Sequence, residues 1–210
     1  MPEFSLSCLA NYFLGGSPCS GKSSVADALA ARHGFQVYCC DDSLFKHMSA
    51  ADPATQPAMA KAARLDWNGL FMRPVEDQVA DEIAFYHEEL PLLLDEIAAL
   101  PPDRPILAEG NAWLPELLVP LGVVPQRLLY LIPTPAFQQA HYARRGFIQD
   151  ILAQCSDPAV AFHNWMERDA RFGAVVRSQA EILGLCVIQV DGSLTLDETV
   201  ALVENAFNLG

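Results

Sequence analysis

Short apolar runs alternate with longer amphipathic stretches along this chain. The runs have the length of β-strands and lack a polar face, which is typical of strands that are buried on both sides. They comprise residues 11–14, 35–40, 105–109, 127–132 and 185–190. Buried strands that alternate with helices predict an α/β fold, in which helices cover both faces of a parallel sheet.

Helical periodicity fills the intervals between these runs. The predicted helices cover residues 24–33, 43–48, 58–66, 114–119, 135–145, 147–154, 158–183 and 195–207, and a longer one begins at Pro74. This longer helix has apolar residues at spacings of three and four and acidic residues on its other face, which predicts a solvated surface. Pro91 should kink or divide it, because proline breaks the helical hydrogen-bond ladder.

The most specific motif follows the first apolar run, in residues 15–24, GGSPCSGKSS. Gly16, Gly21, Lys22 and Ser23 match the phosphate-loop pattern G-x-x-x-x-G-K-[ST] without a mismatch. Its glycines let backbone N–H groups converge on phosphate oxygens, Lys22 is expected to act catalytically at the β- and γ-phosphates, and the Ser23 hydroxyl is expected to bind Mg²⁺. The loop residues expected to contact ATP are Gly16, Ser17, Pro18, Cys19, Ser20, Gly21, Lys22, Ser23 and Ser24.

Composition limits the possible partners. The 210 residues suffice for one domain, and a hydrophobic content of 51% with 19% charged residues indicates a globular chain. The net charge of −13 argues against binding to nucleic acid or anionic membranes. Lys22 is one of only three lysines, so the ten arginines should carry most anion binding outside the loop.

The cysteines and the first residues suggest a compartment. The six cysteines form no C-x-x-C pair, so free thiols in a reducing cytoplasm are the expectation. The apolar beginning of the chain carries Glu3 instead of a basic residue and continues directly into the phosphate loop, which favours a first strand over a signal peptide. Apolar runs of membrane-spanning length are absent from the sequence.

With its phosphate loop between a strand and a helix, the sequence resembles the P-loop kinases of the nucleoside and nucleotide kinase class, which includes shikimate, gluconate and adenylate kinases. The resemblance covers most of the chain in the order and type of its elements. It implies a single three-layer P-loop NTPase domain over residues 1–210, with a five-stranded parallel sheet of order 2-3-1-4-5. It also implies an acceptor-binding insertion at about residues 43–100 and a helical lid at about residues 141–175.

Acidic residues follow the second and third predicted strands, where parallel sheets bind their ligands. Residues 37–48, VYCCDDSLFKHM, resemble the second-strand region of chloramphenicol phosphotransferase, which implies that Asp42 is the catalytic base. Asp42 could instead cap the next helix. The D-x-D pattern of sugar and shikimate kinases is absent here, and Asp41 is a second candidate for acceptor binding or for the base. Glu109 is expected to hold a water bound to Mg²⁺, with a simple turn residue as the alternative.

Two arginine pairs lie in the predicted lid. In related kinases lid arginines reach the phosphates, so we expect catalytic roles for Arg144 and Arg168 and ATP contacts for Arg145 and Arg171. The alternative is that these side chains only form surface ion pairs with neighbouring acids. Asp191, after the last strand, lies where related kinases surround adenine, although it could belong to an ordinary turn.

The acceptor pocket is predicted between the second and third strands. Trp67 and Phe71 could form an aromatic wall, with Asp66, Asn68 and Arg73 as polar groups. The two aromatic residues are four positions apart and could equally belong to the core. Trp67, Arg73 and the acids after the second strand are therefore the predicted substrate contacts.

These features predict an ATP- and Mg²⁺-dependent kinase that phosphorylates a hydroxyl of a small molecule. A nucleoside or nucleotide kinase is the first alternative, but residues 43–100 hold only four basic residues among many acids, which favours an uncharged or mildly charged acceptor. A GTP switch protein is a second alternative, because residues 66–69 match D-x-x-G, although N-K-x-D is absent. An ATP-binding protein without catalysis is the third.

Overall fold

The computed structural model describes residues 11–209, which form alternating strands and helices. The strands are β1 (Tyr12–Gly16), β2 (Gln36–Cys39), β3 (Ile106–Glu109), β4 (Leu128–Pro133) and β5 (Cys186–Val190). The helices are α1 (Lys22–His33), α2 (Leu44–Ala50), α3 (Pro57–Ala62), α4 (Trp67–Phe71), α5 (Val75–Ala98), α6 (Pro115–Leu118), α7 (Pro135–Tyr142), α8 (Gly146–Leu152), α9 (Pro158–Ile182) and α10 (Leu196–Phe207). The five strands therefore lie where the apolar runs predicted them.

The strands form one parallel sheet of order β2-β3-β1-β4-β5, which confirms the predicted order. Its register places Leu14 and Cys39 on either side of Glu109. Strands β2 and β3 therefore end at the same level, β1 continues two residues further, and the segments that follow the three strands leave the sheet at the same edge.

Each strand sends alternate side chains into different layers. On one face, Leu14 packs in a cluster with residues of α1 and α10, including Leu29 and Val203. On the other face, Phe13 packs in a cluster with residues of α5, α6 and α9, including Leu93. Helices therefore cover both faces of the sheet, as the sequence predicts.

A third apolar cluster lies away from the sheet and joins α4, α7, α8 and α9. Its buried members are Phe71, Tyr142, Ile148, Leu152, Cys155, Ala161 and Trp165. It connects the region predicted to bind the acceptor to the region predicted to form the lid, so these two parts of the chain share a core.

Several local predictions differ from the structure. The outer strands β2 and β5 are only partly buried, because each lies at an edge of the sheet. Pro91 does not divide α5, which runs without interruption from Val75 to Ala98. Residues 67–71, predicted as loop, form the helix α4. The predicted contribution of residues 1–10 to the first strand lies outside the described residues.

Within residues 11–209, none of the helices combines the length and the apolar character needed to cross a lipid bilayer.

Candidate functional site

The phosphate loop joins the end of β1 to the start of α1 by a sharp turn. Its backbone has positive φ at Gly16 (138°), Cys19 (63°) and Gly21 (83°), and the last of these is the N-cap of α1. A side chain at Gly16 would collide with the carbonyl oxygen of Leu131 on β4, so only glycine fits there. The loop therefore has the alternating backbone of an anion-binding nest at a helix N-terminus.

The side chain of Lys22 lies folded under this loop. Its Nζ donates hydrogen bonds to the backbone oxygen of Ser17 at 2.9 Å and to Oγ of Ser20 at 3.4 Å. Burial lowers the pKa of the Lys22 ammonium, while the negative charges of Glu109 and Asp41 raise it. Two carboxylates therefore face a buried cation next to the loop.

Ser23 and Glu109 meet at the end of the sheet, as their predicted roles require. The Ser23 hydroxyl donates to Oε1 of Glu109 at 2.9 Å, and the Glu109 residue is only 3% exposed. Cys39 lies beside them on β2, where burial and then its hydrogen bond to Glu109 raise the pKa of its thiol to about 12. Glu109 is therefore buried among polar partners at the mouth of the phosphate loop.

The oxygen atoms of Ser23 and Glu109 suit magnesium. This cation binds to oxygen ligands and commonly takes one or two protein side chains together with substrate phosphates and water. Among residues 11–209 there is no cluster of three or more histidine, cysteine, aspartate or glutamate side chains that could hold a metal by themselves. The donor set therefore fits a metal that is shared with a phosphate ligand.

A cleft of about 960 Å³ extends from the phosphate loop and is lined by residues of α2, α3, α4, α5, α7, α8 and α9. Lys22, Ser23, Ser24, Glu109 and Asn111 line its phosphate end. A phosphate-binding loop and a roomy adjoining pocket thus share one opening, as a reaction between two substrates requires.

The two aspartates after β2 are placed differently. Residues Cys40–Asp42 form a 3₁₀ turn, in which successive side chains diverge by about 120°. Both side chains are exposed, but Asp41 lines the cleft and Asp42 lies outside its lining. Helix α2 begins after Ser43 without a side-chain cap, so Asp42 does not cap it either. Of the two candidate carboxylates, only Asp41 therefore lies on the cleft.

The lid arginines also divide into two groups. Arg145 and Arg168 line the cleft, and the guanidinium of Arg145 lies 5.4 Å from the ring centre of Tyr142. Arg144 is exposed and outside the cleft lining. Arg171 is also outside it, in surface ion pairs with the carboxylates of Glu76 at 2.6 Å and Glu167 at 2.7 Å. Arg171 therefore forms surface ion pairs in this structure, which was the alternative to an ATP contact.

Arg168 is held tightly against the wall of the cleft. It donates to Oδ1 of Asp169 from Nε at 2.8 Å and from Nη2 at 2.6 Å, and lies 3.3 Å from Oε2 of Glu82. Its guanidinium also lies 5.5 Å from the ring centre of Phe71 and 5.9 Å from that of Trp165. Burial alone would lower the pKa of Arg168, but Asp169 and Glu82 raise it above its ordinary value.

Asp169, which sequence reasoning left out, connects this arginine to the phosphate loop. It is fully buried, its backbone oxygen accepts a hydrogen bond from Ser17 Oγ at 3.1 Å, and its Oδ2 accepts one from Gln138 at 3.4 Å. Gln138 also donates to the backbone oxygen of Pro18 at 3.4 Å. The loop and the helix α9 that carries Arg168 are therefore held together by a buried polar network.

Trp67 and Arg73 both line the cleft, and their contact with an acceptor stays a prediction. The Trp67 ring is nearly parallel to that of Phe71, at an interplanar angle of 5° and a centroid distance of 6.1 Å, while Phe71 itself is buried. Arg73 forms an ion pair with Asp81 of α5. The Trp67 indole therefore forms part of the cleft wall and packs against the buried ring of Phe71.

The remaining predicted polar groups have local partners. Asp66 lines the cleft and also caps α4, since its side chain accepts from the Gly69 N–H at 2.7 Å. Asn68 accepts from the backbone N–H of Ser156 at 2.8 Å. Asp191 is exposed, lies outside the cleft lining and accepts from the N–H of Ser193 at 2.9 Å, which is an ordinary turn contact.

Helix α5 contributes cleft residues that the sequence did not single out. Gln78, Asp81, Glu82, Phe85 and Tyr86 all line the cleft. Of these residues, Asp81 and Glu82 belong to the acidic face of the helix, which was predicted to be solvated surface. The packing of α5 against α3 and α9 turns this polar face inward, which hydrophobic periodicity alone does not show.

Comparison with solved structures identifies the fold. Shikimate kinase from Acinetobacter baumannii, solved in complex with shikimate, aligns with 99% of this chain and 97% of its own at a TM-score of 0.54 and 15% identity. The chain has a P-loop kinase fold. A kinase candidate from Chloroflexus aurantiacus aligns with 94% of this chain and 98% of its own at 15% identity, but its TM-score of 0.40 does not establish a shared fold.

No family model matches the sequence, and no curated protein matches it. At 15% identity the likeness to shikimate kinase concerns the P-loop kinase fold alone. The local resemblance of residues 37–48 to chloramphenicol phosphotransferase stays a prediction.

Proposed function

We propose that this chain is an ATP- and Mg²⁺-dependent kinase that phosphorylates a hydroxyl group of a small molecule. The observation that carries the proposal is the meeting of Ser23 and Glu109 at 2.9 Å, beside a phosphate loop that opens into an adjoining pocket. A nucleotide-binding protein without catalysis would not need a second pocket at the same opening.

The chain's own residues would bind and orient the two substrates. The backbone nest of residues 16–21 and the ammonium of Lys22 would hold the β- and γ-phosphates, with Lys22 exchanging its bonds to Ser17 and Ser20 for phosphate oxygens. Arg145 and Arg168 line the same cleft from the lid side, and Arg145 is the more exposed of the two. Arg145 is therefore our choice for the lid contact with phosphate.

A carboxylate would accept the acceptor's proton. In the transfer, the acceptor oxygen forms a bond to the γ-phosphorus, the bond between that phosphorus and the ADP oxygen breaks, and the hydroxyl proton passes to the carboxylate. Asp41 is our choice for this carboxylate, because it lines the cleft and its charge acts on Lys22. Ser23 and Glu109 would hold Mg²⁺, which would supply positive charge to neutralise the phosphates.

Acceptor-dependent release of ADP tests this proposal. The purified protein is incubated with ATP, Mg²⁺ and a panel of nucleosides, sugars, aminocyclitols and aryl alcohols, with the Lys22→Ala variant as a parallel control. We expect at least one acceptor to raise ADP release in the wild type and none to do so in the variant. Tight ATP binding with no acceptor-dependent release across the panel would instead support a binding protein without catalysis.

A further inference from the structure

Helix α5 holds the segment that carries Asp41 through one carboxylate, that of Glu96. Its Oε2 accepts hydrogen bonds from the Tyr38 hydroxyl at 2.7 Å and from the Ser43 hydroxyl at 2.5 Å. Its Oε1 accepts one from Nζ of Lys46 at 2.5 Å. Donors from β2 and from the start of α2 therefore converge on a side chain that lies 50 to 58 positions further along the chain.

These bonds bracket the 3₁₀ turn of residues 40–42. Tyr38 comes before the turn and Ser43 comes directly after it, and the same carboxylate oxygen accepts from both. The two ends of the turn are thereby held close to each other. Asp41 itself is exposed, so the place of its carboxylate on the cleft follows from the backbone of this turn.

His47 is a second, buried anchor between α2 and α5. Its Nδ1 lies 3.0 Å from Oε1 of Glu89, and its Nε2 lies 3.3 Å from Oε1 of Glu96. His47 is only 4% exposed and Glu89 only 1%. The two glutamates are about two helical turns apart, so they lie on the same face of α5. Both ring nitrogens of His47 therefore attach α2 to that face.

Glu96 stays ionised at neutral pH and has no place in the cleft. Burial raises the pKa of its carboxyl, but hydrogen bonds from Lys46, Ser43 and Tyr38 lower it to about 2. Hydrogen bonds to an ionised acceptor are about twice as strong as those between neutral groups. Glu96 lies outside the cleft lining, so its influence on a bound acceptor would pass through the segment that it holds.

We infer that Glu96 is a positioning residue for Asp41, because it holds residues 38–47 in the arrangement that places the Asp41 carboxylate on the cleft. This inference rests on the proposed kinase function, in which Asp41 accepts the acceptor's proton. A general base must stay within hydrogen-bond reach of that proton, and a displacement of about 1 Å can lower the rate about 10²-fold. Glu96 would thus influence the rate of transfer without contacting either substrate.

Hydrogen exchange in the Glu96→Gln variant tests whether Glu96 holds this segment. Asp95→Asn is the matched control, because it makes the same chemical change at the neighbouring, exposed position outside the cleft lining. Amide exchange within residues 39–47 should become about tenfold faster in Glu96→Gln and stay unchanged in Asp95→Asn. Calorimetric titration with ATP and Mg²⁺ should give the wild-type Kd for both variants, because neither change touches the phosphate loop.

A double variant separates positioning from a contribution to folding alone. ADP release is measured with the panel compound that the wild type phosphorylates fastest, at a temperature at which circular dichroism shows every variant folded. Glu96→Gln should lower kcat about 10- to 10²-fold. Because Glu96 acts through Asp41, adding Glu96→Gln to Asp41→Asn should lower kcat no further. A residue that only stabilises the fold would leave kcat of the folded variant unchanged.

A milder variant keeps the test decisive. If Glu96→Gln does not fold, Tyr38→Phe takes its place in every measurement, because it removes one of the bonds to Glu96 and keeps the aromatic ring. The same changes should then appear at a smaller size.

Four results would overturn the inference: unchanged exchange of residues 39–47, wild-type kcat in Glu96→Gln, a loss of ATP affinity as large as the loss of kcat, or an equal loss of kcat with and without Asp41. If the wild type shows no acceptor-dependent release of ADP, the proposed kinase function fails instead. The exchange measurement still decides whether Glu96 holds the segment in that case.

Discussion

The hydroxyl of Ser23 donates a hydrogen bond of 2.9 Å to Oε1 of Glu109, a residue 86 positions away in the sequence. This contact joins the start of α1 to the end of β3, and the sheet register explains it, because Glu109 lies level with Leu14 on β1. Two side-chain oxygen atoms therefore lie together next to the phosphate loop.

The Glu109→Gln variant tests the assignment of the metal site. The amide retains the shape of the side chain but loses its charge, so we expect kcat to fall about 10²-fold and the Mg²⁺ concentration for half-maximal activity to rise about tenfold. Magnesium titrations of ADP release measure both values. Glu116→Gln, an exposed change outside the cleft lining, is the control, and equal Mg²⁺ dependence of the two variants would refute this role for Glu109.

The neighbouring aspartates Asp41 and Asp42 form a matched pair for the general base. Because Asp41 lines the cleft and Asp42 does not, Asp41→Asn should lower kcat about 10²- to 10⁴-fold while ATP affinity changes little. Asp42→Asn should retain nearly full activity. If Asp42→Asn is the inactive variant, Asp42 is the base, as the resemblance to chloramphenicol phosphotransferase implies. The assignment of the base to Asp41 from its place on the cleft would then be wrong. Collapse of ATP affinity in Asp41→Asn would assign this residue to nucleotide binding.

Substitution by alanine should lower the folding stability by different amounts at two glycines of the phosphate loop, Gly16 and Gly21. At Gly16 a Cβ would overlap the carbonyl oxygen of Leu131, in addition to requiring a φ of 138°. At Gly21 a Cβ meets nothing within 4 Å, and the penalty is only that of a left-handed backbone, about 1–2 kcal/mol. Urea denaturation should therefore show a loss of several kcal/mol, or no folded protein, for Gly16→Ala. Equal stability of the two variants would contradict this close packing of β1 on β4.

Glu82 should make folding stability depend on pH. Burial raises the pKa of its carboxyl from 4.5 to about 7 in the folded protein. The folded state therefore binds the proton more tightly than the unfolded state, and this contribution to stability is lost as the pH rises from 5 to 8. In Glu82→Gln the decline should be smaller by about 2–3 kcal/mol. Urea denaturation of both proteins at pH 5 and pH 8 measures it, and parallel declines would exclude a raised pKa.

The strands and the phosphate loop could be predicted because local sequence determines them. Short apolar runs such as residues 127–132 are apolar on both faces and are therefore typical of strands inside a parallel sheet. The spacing of the motif residues from Gly16 to Ser23 is itself the signature of the phosphate loop. The parallel order then brings Ser23 and Glu109 to the same edge. This part of the site follows from topology without knowledge of side-chain packing.

The rest of the site depends on how side chains point within a known element. Arg168 and Arg171 are three residues apart on α9, yet Arg168 is half-buried and paired with the buried Asp169, whereas Arg171 forms surface ion pairs. Asp41 and Asp42 diverge because of one 3₁₀ turn. Glu82 lies on the polar face of α5, which packs against α9. The spacing of apolar residues along α5 does not reveal this contact.

We propose that the loop of residues 16–23 binds ATP with Mg²⁺ through Lys22, and calorimetric titration of the protein with ATP and Mg²⁺ measures this binding. The wild type should bind one ATP per chain, and Lys22→Ala should weaken this binding by about 10²-fold or more while its circular dichroism spectrum is unchanged. Lys46→Ala, which removes a lysine paired with Glu96 outside the cleft, should bind as the wild type does. Equal ATP affinity in the wild type and in Lys22→Ala would contradict the claim.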